Sequence, residues 1–235
     1  MLTGRARRFE RAIPLAGLLL SIAYAPQGYA QTWKRLYEEE GIVAYRAEGS
    51  SRYSRYKADG VIEGNLYEVL AVMNDIPRRL EWVDNLKTIR LVAEEKEKLL
   101  RVHSVLDLPW PLTDRESLVD VAVSIDYGTQ VVQLEFAAVT DPAVPIQKGL
   151  VRVPHTQGLT RLSYIDEQRI GVAYEIEFDA GGDVPAWAVK MFTEDVPAKT
   201  IKALKAQVRK TKGLYTDFVT RHKELAALAR PGLAP

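Results

Sequence analysis

The chain has 235 residues, of which 47% are hydrophobic and 27% are charged, and it contains no cysteine. This balance is typical of a globular protein and excludes a disordered or collagen-like chain. The absence of cysteine excludes disulfide bonds, thiol catalysis, cysteine-ligated zinc or iron–sulfur sites, and a lipid anchor attached through cysteine. The formal net charge is only +1.

Residues 1–30 have the pattern of a secretory signal peptide. A basic segment with four arginines precedes an apolar run over residues 12–25, and Gly28 and Ala30 supply the small residues expected before a cleavage site. The apolar run has 14 residues, whereas a membrane-spanning helix needs roughly 20. We therefore predict cleavage after Ala30. An uncleaved anchor or a short buried helix is the alternative.

Removal of this segment changes the charge balance of the protein. It takes away four Arg and one Glu, so the remaining 205 residues carry 28 basic and 30 acidic side chains and a net charge of −2. A nucleic-acid-binding protein is expected to have a basic surface, so no nucleic-acid partner is expected here. Export of a chain without cysteine is typical of a bacterial periplasmic protein. We also expect the protein to be a monomer.

The first half of the mature chain is predicted to contain short helices and strands. Gly41 ends an amphipathic pattern, Asn65 is a plausible helix N-cap, and Pro77 interrupts the helix that Asn65 begins. The predicted elements are a helix over 33–40, strands over 42–48 and 53–62, a helix over 65–74 and a short helix over 78–83.

The second half is dominated by strand patterns until its last 50 or so residues. Residues 117–126 form the clearest strand, because Val119, Val121 and Val123 alternate with more polar residues. A long C-terminal helix must bury its apolar stripe against the sheet, which predicts one α+β domain. The other predicted elements are strands over 88–93, 98–108, 131–139, 150–153, 160–165 and 171–179, a loop over 141–148, and helices over 185–209 and 215–229.

Four short motifs occur in one order between residues 41 and 209. Together they resemble the motifs of the START domain, the lipid-transfer module related to the steroidogenic acute regulatory protein. Glu116 stands where the family has Asp in an Arg-Asp step. The motifs are Glu81-Trp82-Val83-Asp84, Pro109-Trp110-Pro111-Leu112-Thr113-Asp114-Arg115-Glu116, Gly149-Leu150-Val151-Arg152 and Gly181-Gly182-Asp183-Val184-Pro185-Ala186-Trp187.

The resemblance implies a helix-grip fold of the α+β class. In this fold a curved antiparallel β-sheet wraps around a long C-terminal α-helix and encloses an apolar tunnel that holds one lipid or sterol. The expected organisation is a signal peptide over 1–30, a START-like lipid-binding domain over 31–212, and a C-terminal helix with a frayed tail over 213–235.

The inward faces of the strands and of the C-terminal helix are the candidates for the lining of this tunnel. Ligand pockets are concave and mostly apolar, with a few polar groups that orient the ligand. Without the resemblance, the same residues would be interpreted as ordinary core. The candidates are Val102, Ser104, Leu106, Val119, Val121, Val123, Leu134, Phe136, Val151, Tyr164, Tyr174, Ile176, Trp187, Met191 and Phe192.

Few polar groups are predicted to face the ligand. The expected hydrogen-bond donors are Ser104, Tyr164 and Tyr174, with hydroxyl groups satisfied inside the core as the alternative. The strand over 117–125 has no basic residue on its apolar face. Arg115 and Arg152 are expected to form structural salt bridges or to be exposed. A ligand with a modest polar group, such as a sterol-like, fatty acyl or neutral lipid, is therefore favoured over a lipid with a large charged head group.

The loop around Trp110 and the C-terminal helix are implied to gate the tunnel. The gate candidates are Trp110, Pro111, Leu112 and Pro197. Trp110 either makes transient contact with a membrane, where Trp favours the interface, or packs inward as a hinge. Pro197 either starts a helical segment or kinks a continuous helix. The basic residues between 199 and 212 either bind an anionic membrane or form a solvated helix face.

The sequence contains no motif that indicates an enzyme. Its three histidines, at positions 103, 155 and 222, lie far apart and lack metal-ligand spacing. No metal and no cofactor are expected. The wider superfamily includes cyclases and aromatases that use the same cavity, so such an enzyme is the alternative, with His103 as its acid–base candidate. A lipid sensor or assembly partner is a third possibility.

Overall fold

The structure is a computed structural model that describes residues 31–49, 53–95, 98–179, 181–182, 184–185 and 194–229. The predicted signal peptide lies outside the described residues. The strands are β1 (Trp33–Glu39), β2 (Ile42–Ala47), β3 (Ser54–Glu63), β4 (Leu86–Glu95), β5 (Leu99–Leu106), β6 (Arg115–Asp126), β7 (Val131–Ala138), β8 (Val151–Arg152), β9 (His155–Asp166) and β10 (Arg169–Asp179). The helices are α1 (Leu66–Asn74), a 3-10 helix (Pro77–Glu81), α2 (Val196–Lys210) and α3 (Thr216–Ala229).

The described strands form one curved sheet. Its order is β1-β2-β3-β10-β9-β7-β6-β5-β4, and every neighbouring pair along this path is antiparallel. The short strand β8 pairs in parallel with the start of β6. Because β3 pairs with β10, the N-terminal strands β1, β2 and β3 lie directly beside the hairpin formed by β9 and β10.

The helices cover one face of this sheet. Asn65 caps α1, since its side-chain oxygen accepts a hydrogen bond from the backbone N–H of Tyr67 at 3.0 Å. The α2 helix packs against β3 through buried Ile201, and a Cβ atom at Gly60 would lie 3.3 Å from the Ile201 Cγ2 atom. The absence of a side chain at Gly60 therefore lets α2 approach the sheet closely.

Residues 33–39 form strand β1, so the prediction of a helix over 33–40 is wrong. The turn residues Glu40 and Gly41 both have positive φ angles, 51° and 71°, which return the chain directly onto β2. Pairing with β2 satisfies the backbone groups of β1, whereas an isolated eight-residue helix is marginal in water.

The described part of the C-terminal helical region begins at Val196. Pro197 lies in the first turn of α2 and is buried, where a proline costs no intrahelical hydrogen bond. Pro197 therefore starts a helical segment, as one of the two predicted alternatives stated. Residues 186–193 lie outside the described residues.

The last helix belongs to the packed domain. In α3, Ala226 and His222 are buried, and Ala226 is part of the hydrophobic core together with α1 residues such as Leu70. Among the residues that the structure describes, no helix is both long enough and apolar enough to cross a membrane.

Candidate ligand cavity

A cavity of about 290 Å³ lies between the sheet and the helices that cover it. Its walls come from β6, β7, β9 and β10, from the last turn of α1 and the segment that joins α1 to β4, from the C-terminal end of β5 and from the start of α2. The lining residues are Met73, Arg79, Trp82, Val83, Asp84, Asn85, Leu106, Leu108, Arg115, Ser117, Val119, Val121, Leu134, Phe136, Val153, Thr156, Thr160, Tyr174, Ile176, Phe178, Val196, Lys199 and Thr200.

The sheet supplies the apolar wall. Val121, Phe136, Gly158 and Ile176 lie in one row across four neighbouring strands. A Cβ atom on Gly158 would lie 2.5 Å from the Cζ atom of Phe136, so the missing side chain leaves room for the phenyl ring. The Phe136 ring in turn lies 6.1 Å from the ring of Tyr174. These contacts make a wall of large apolar groups beside the Tyr174 hydroxyl group.

Arg79 is a charged group on the wall of this cavity. The guanidinium Nε and Nη2 atoms donate hydrogen bonds to the backbone carbonyl of Met73 at 3.0 and 2.7 Å. Burial lowers the pKa of Arg79 to about 10, which leaves the group charged at neutral pH. The guanidinium carries five N–H donors, so donors remain for a ligand.

Tyr174 and Trp82 are neutral hydrogen-bond donors on the wall of the same cavity as Arg79. Burial raises the pKa of Tyr174 to about 12, although the charge of Arg79 opposes that rise, so the phenol keeps its proton. The indole Nε1 atom of Trp82 is buried and has no hydrogen-bond partner among the described residues. An unpaired buried donor costs free energy, which a ligand oxygen would recover.

Arg115 also borders the cavity and is only 4% exposed. Its guanidinium donates to the backbone carbonyls of Thr113 and Gly181, and burial lowers its pKa. The alternative that Arg115 is an exposed strand charge is therefore wrong. Arg115, Ser117 and Val119 are alternate residues of β6 and therefore share one face of the strand, so alternation alone would have placed Arg115 inward.

The structure places about half of the predicted tunnel residues on the cavity wall. Their contact with a ligand stays a prediction. The residues on the wall are Leu106, Val119, Val121, Leu134, Phe136, Tyr174 and Ile176. The described candidates that do not line it are Val102, Ser104, Val123, Val151 and Tyr164. Trp187, Met191 and Phe192 lie outside the described residues.

Local contacts account for three of these five candidates. Val102 is buried in the core cluster. Ser104 is hydrogen-bonded to Ser117, with 2.8 Å between their Oγ atoms. Tyr164 donates to Glu167. The two polar donors expected at these positions therefore already have protein partners, and only Tyr174 of the three predicted hydroxyl groups reaches the cavity.

Residues near the start of β4 were missed by sequence reasoning. Arg79 and Trp82 belong to the 3-10 helix and the turn after it, where neither a helical nor a strand period marks an inward face. Thr156 and Thr160 were also missed but were detectable in principle, because they pair with Phe178 and Tyr174, which lie on the inward face of β10.

His103 and Glu116 lie on the other face of the sheet, away from the cavity. They are 2% and 0% exposed, and the His103 Nε2 atom is 2.8 Å from a Glu116 carboxylate oxygen. The other carboxylate oxygen accepts from the backbone N–H of Gln147 at 3.0 Å and from Arg152 at 3.3 Å. Arg152 thus forms a structural salt bridge, as one predicted alternative stated.

The gate candidates differ strongly in exposure. Trp110 is 91% exposed, so it does not pack inward in this structure. The loop that carries it is anchored at its base, where the Leu108 N–H and the Lys87 ammonium group both donate to the carboxylate of Asp114. Pro197, by contrast, is buried beside the wall residue Val196.

The basic residues of α2 are partly neutralised by nearby carboxylates. Lys202 forms ion pairs with Glu39 and Glu40, and Lys210 pairs with Glu81. These contacts favour the solvated helix face over a dedicated membrane surface. Within the described part of the chain, no group of three or more metal-ligating side chains is close enough to hold a metal ion.

The family model of the START domain matches residues 24–212 of this chain. The chain belongs to the START domain family. This START protein is 27% identical to an uncharacterised protein of Pseudomonas aeruginosa over 207 residues, which cover 87% of this chain and 99% of that protein. The predicted resemblance and the predicted helix-grip fold are confirmed.

Solved structures share the same fold. A STAR-related lipid transfer protein fragment from Xanthomonas axonopodis has a TM-score of 0.68 at 22% identity, over 75% of this chain and 98% of that chain. A Streptomyces aromatase/cyclase has a TM-score of 0.51 at 12% identity, over 68% of this chain and 96% of that chain. The first relative is named for lipid transfer and the second for enzymatic activity, so the fold alone is compatible with either class.

Proposed function

We propose that this protein is an exported, periplasmic START domain that binds a lipid with an acidic head group and one apolar chain or ring system, and transfers it between membranes. The observation that carries the proposal is the pairing, in one cavity, of an apolar sheet wall with the charged Arg79. Family membership supports lipid binding, and the signal-peptide pattern of residues 1–30 supports export.

The apolar wall supplies the binding free energy. Each buried methylene group contributes roughly 0.8 kcal/mol, so one acyl chain contributes several kcal/mol. The cavity volume of about 290 Å³ matches the lower end of the range of small-molecule sites, about 300–1,000 Å³. This size favours a single chain or a compact ring system over a lipid with several long chains.

The polar groups orient the ligand. Arg79, Trp82 and Tyr174 all offer hydrogen-bond donors to the cavity, and guanidinium binds carboxylates and phosphates well. A carboxylate ligand would gain a charge-assisted bond from Arg79 and would satisfy the indole N–H of Trp82. Among the ligand classes expected from the sequence, a long-chain fatty acid is therefore a better ligand than a sterol or a neutral lipid.

Replacement of Arg79 by Gln tests the proposed ligand class. We expect the affinity for a long-chain fatty acid to fall about tenfold or more, which corresponds to about 1.4 kcal/mol, while the affinity for the fatty alcohol of equal length changes little. Uptake from liposomes, measured by native mass spectrometry, gives both affinities. The lipid-binding proposal would be wrong if the protein purified from its own host contained no lipid and took up neither compound.

Trp110 is proposed to contact the membrane during transfer. A tryptophan that is 91% exposed on a loop beside the cavity has the amphipathic ring that favours the membrane interface. We expect Trp110→Ala to slow lipid transfer between vesicles by about threefold or more without changing the amount of lipid bound at equilibrium. Fluorescence transfer assays measure the rate.

Leu228→Ala is the matched control for Trp110→Ala, because Leu228 is 78% exposed but lies on α3. Equal rates for the wild type and the Trp110 variant would remove Trp110 from the transfer step. Tight lipid binding with no transfer by the wild type would favour a lipid sensor or assembly partner.

A cyclase or aromatase remains the second candidate, because a solved aromatase/cyclase shares the fold. Its proposed acid–base, His103, bonds to Glu116 on the opposite face of the sheet, and the described residues of the cavity wall include no histidine. Such an enzyme would therefore need another acid–base group, which makes the carrier the better supported function.

A further inference from the structure

The helix α3 lies beyond residues 24–212, the part of the chain that the START family model matches. It packs on α1 through the His222 ring, which stacks on the ring of Tyr67 in α1 at 5.4 Å. Within α3, the His222 ring also approaches the Phe218 ring at 4.3 Å. The Tyr127 hydroxyl group is 2.8 Å from His222 Nδ1. The Tyr67 contact holds α3 against α1, the helix whose last turn borders the cavity, and the Tyr127 contact holds it against the residue that follows β6.

A hydrogen bond joins the start of α3 to the end of α1. The hydroxyl group of Tyr215, the residue before α3, donates to Asp75 Oδ2 at 2.9 Å. Burial and the neighbouring carboxylate raise the pKa of Tyr215 to about 12, so the phenol remains a donor at every physiological pH. Asp75 is the residue that follows α1 and serves as its C-cap.

Asp75 also organises the corner between α1 and the 3-10 helix. Its Oδ1 atom accepts from the backbone N–H of Arg78 at 3.3 Å, and its Oδ2 atom lies 3.5 Å from the Arg78 Nε atom. Arg79, the next residue, donates two hydrogen bonds to the carbonyl of Met73. Asp75 therefore lies in the middle of the chain segment that joins two cavity-lining residues, Met73 and Arg79.

The far end of the 3-10 helix is held separately. Glu81 accepts hydrogen bonds from Gln207 and Lys210 of α2. The segment that presents Arg79 is thus tied at its start to the Tyr215–Asp75 bond and at its end to α2. A binding group is precise only when the residues behind it are held in place.

From this geometry we infer that α3 is a brace for the polar end of the cavity, and that Tyr215 is a positioning residue that acts on Arg79 through Asp75. The inference rests on the proposed function, because it assumes that Arg79 binds the acidic group of the ligand. Loss of the Tyr215 hydroxyl group makes the segment between α1 and the 3-10 helix more mobile, so the Arg79 guanidinium is held less precisely. The apolar wall of the cavity is unchanged.

A double-mutant cycle tests the brace. We expect Tyr215→Phe to lower the affinity for the fatty acid about three- to tenfold and to leave the affinity for the matched fatty alcohol unchanged. In the Arg79→Gln background, Tyr215→Phe is expected to have no further effect, because residues that act through one another are not additive. Tyr164→Phe is the matched control, since it removes a tyrosine hydroxyl that donates to Glu167, which is not a cavity-lining residue.

Amide hydrogen exchange over residues 73–81 gives a second readout that does not depend on any ligand. Exchange is expected to be faster in Tyr215→Phe than in the wild type and unchanged in Tyr164→Phe. Three results would each contradict the positioning role of Tyr215. They are unchanged exchange in Tyr215→Phe, additive effects of Tyr215→Phe and Arg79→Gln, and equal losses of affinity for the fatty acid and the fatty alcohol. If the wild type binds neither compound but exchange is still faster in Tyr215→Phe, the proposed function is wrong. In that case α3 supports the segment but has no role in ligand binding.

Discussion

Replacement of Glu116 by Ala is expected to lower the free energy of unfolding by about 3–5 kcal/mol, which is the usual cost when one member of a buried ion pair is removed. Glu116 is fully buried and accepts hydrogen bonds from Arg152 and Gln147, while it also binds His103. The variant leaves the Arg152 guanidinium and the Gln147 N–H without this partner. The loss is large, since a typical domain is stable by only about 5–15 kcal/mol.

Urea denaturation at neutral pH measures this loss. Glu135→Ala is the matched control, because Glu135 is an exposed residue of the same sheet, and its removal is expected to change stability by less than about 0.5 kcal/mol. A loss for Glu116→Ala as small as that of the control would show that the buried network does not hold the loop that carries Gln147.

The same carboxylate makes stability depend on pH in a defined direction. Burial raises the pKa of Glu116, but hydrogen bonds from His103 and Gln147 and the charge of Arg152 outweigh that effect and leave it below its ordinary value of 4.5. The stabilisation is therefore fully present above the ordinary pKa and is lost as the pH falls through the lower pKa of the folded state. Glu116→Gln should lack this part of the acid dependence.

Replacement of Val121 by Arg is expected to lower lipid loading more than tenfold. Val121 is 5% exposed, lines the cavity and lies opposite Phe136 on β7. A cost of about 1.4 kcal/mol reduces affinity tenfold, and an unpaired charge in an apolar site costs more than that. Native mass spectrometry after incubation with liposomes measures the occupied fraction.

The control for Val121→Arg is the same substitution at the adjacent residue. Ala122 is exposed and is paired with Glu135 on the outer face, so Ala122→Arg should load lipid normally. Val121→Phe narrows the cavity without adding charge, and it should reduce the loading of long chains in a variant that still folds. Normal loading of a folded Val121→Arg variant would show that the inward face of β6 does not contact the lipid.

Local sequence patterns were sufficient to predict many helices and strands of this fold. The alternation along β6 correctly placed Val119 and Val121 on the inner face, because side chains of a strand point to opposite sides in turn. Asn65 was identified as an N-cap because its short side chain can satisfy a backbone N–H at a helix start. The four motifs identified the START family because each depends on residue types at fixed spacings.

The tertiary structure decided where isolated polar residues lie. Alternation correctly placed Ser104 on the inner face, next to the wall residue Ser117, but the Ser104 hydroxyl group is hydrogen-bonded to Ser117 and does not line the cavity. His103 was a plausible cavity base until the fold brought Glu116 against it from 13 residues away. Such pairings depend on strand register, and register is set by contacts between segments that are distant in sequence.

The sequence by itself determined the family, the α+β class and the apolar sheet wall, since these depend on local periodicity and short motifs. The tertiary structure alone showed that residues 33–39 pair as a strand and that Arg79 joins Tyr174 at one cavity. It also brought Tyr215 to Asp75 across 140 residues of chain. Long-range contacts of this kind arise from the packing of whole elements, so no local pattern in the sequence reports them.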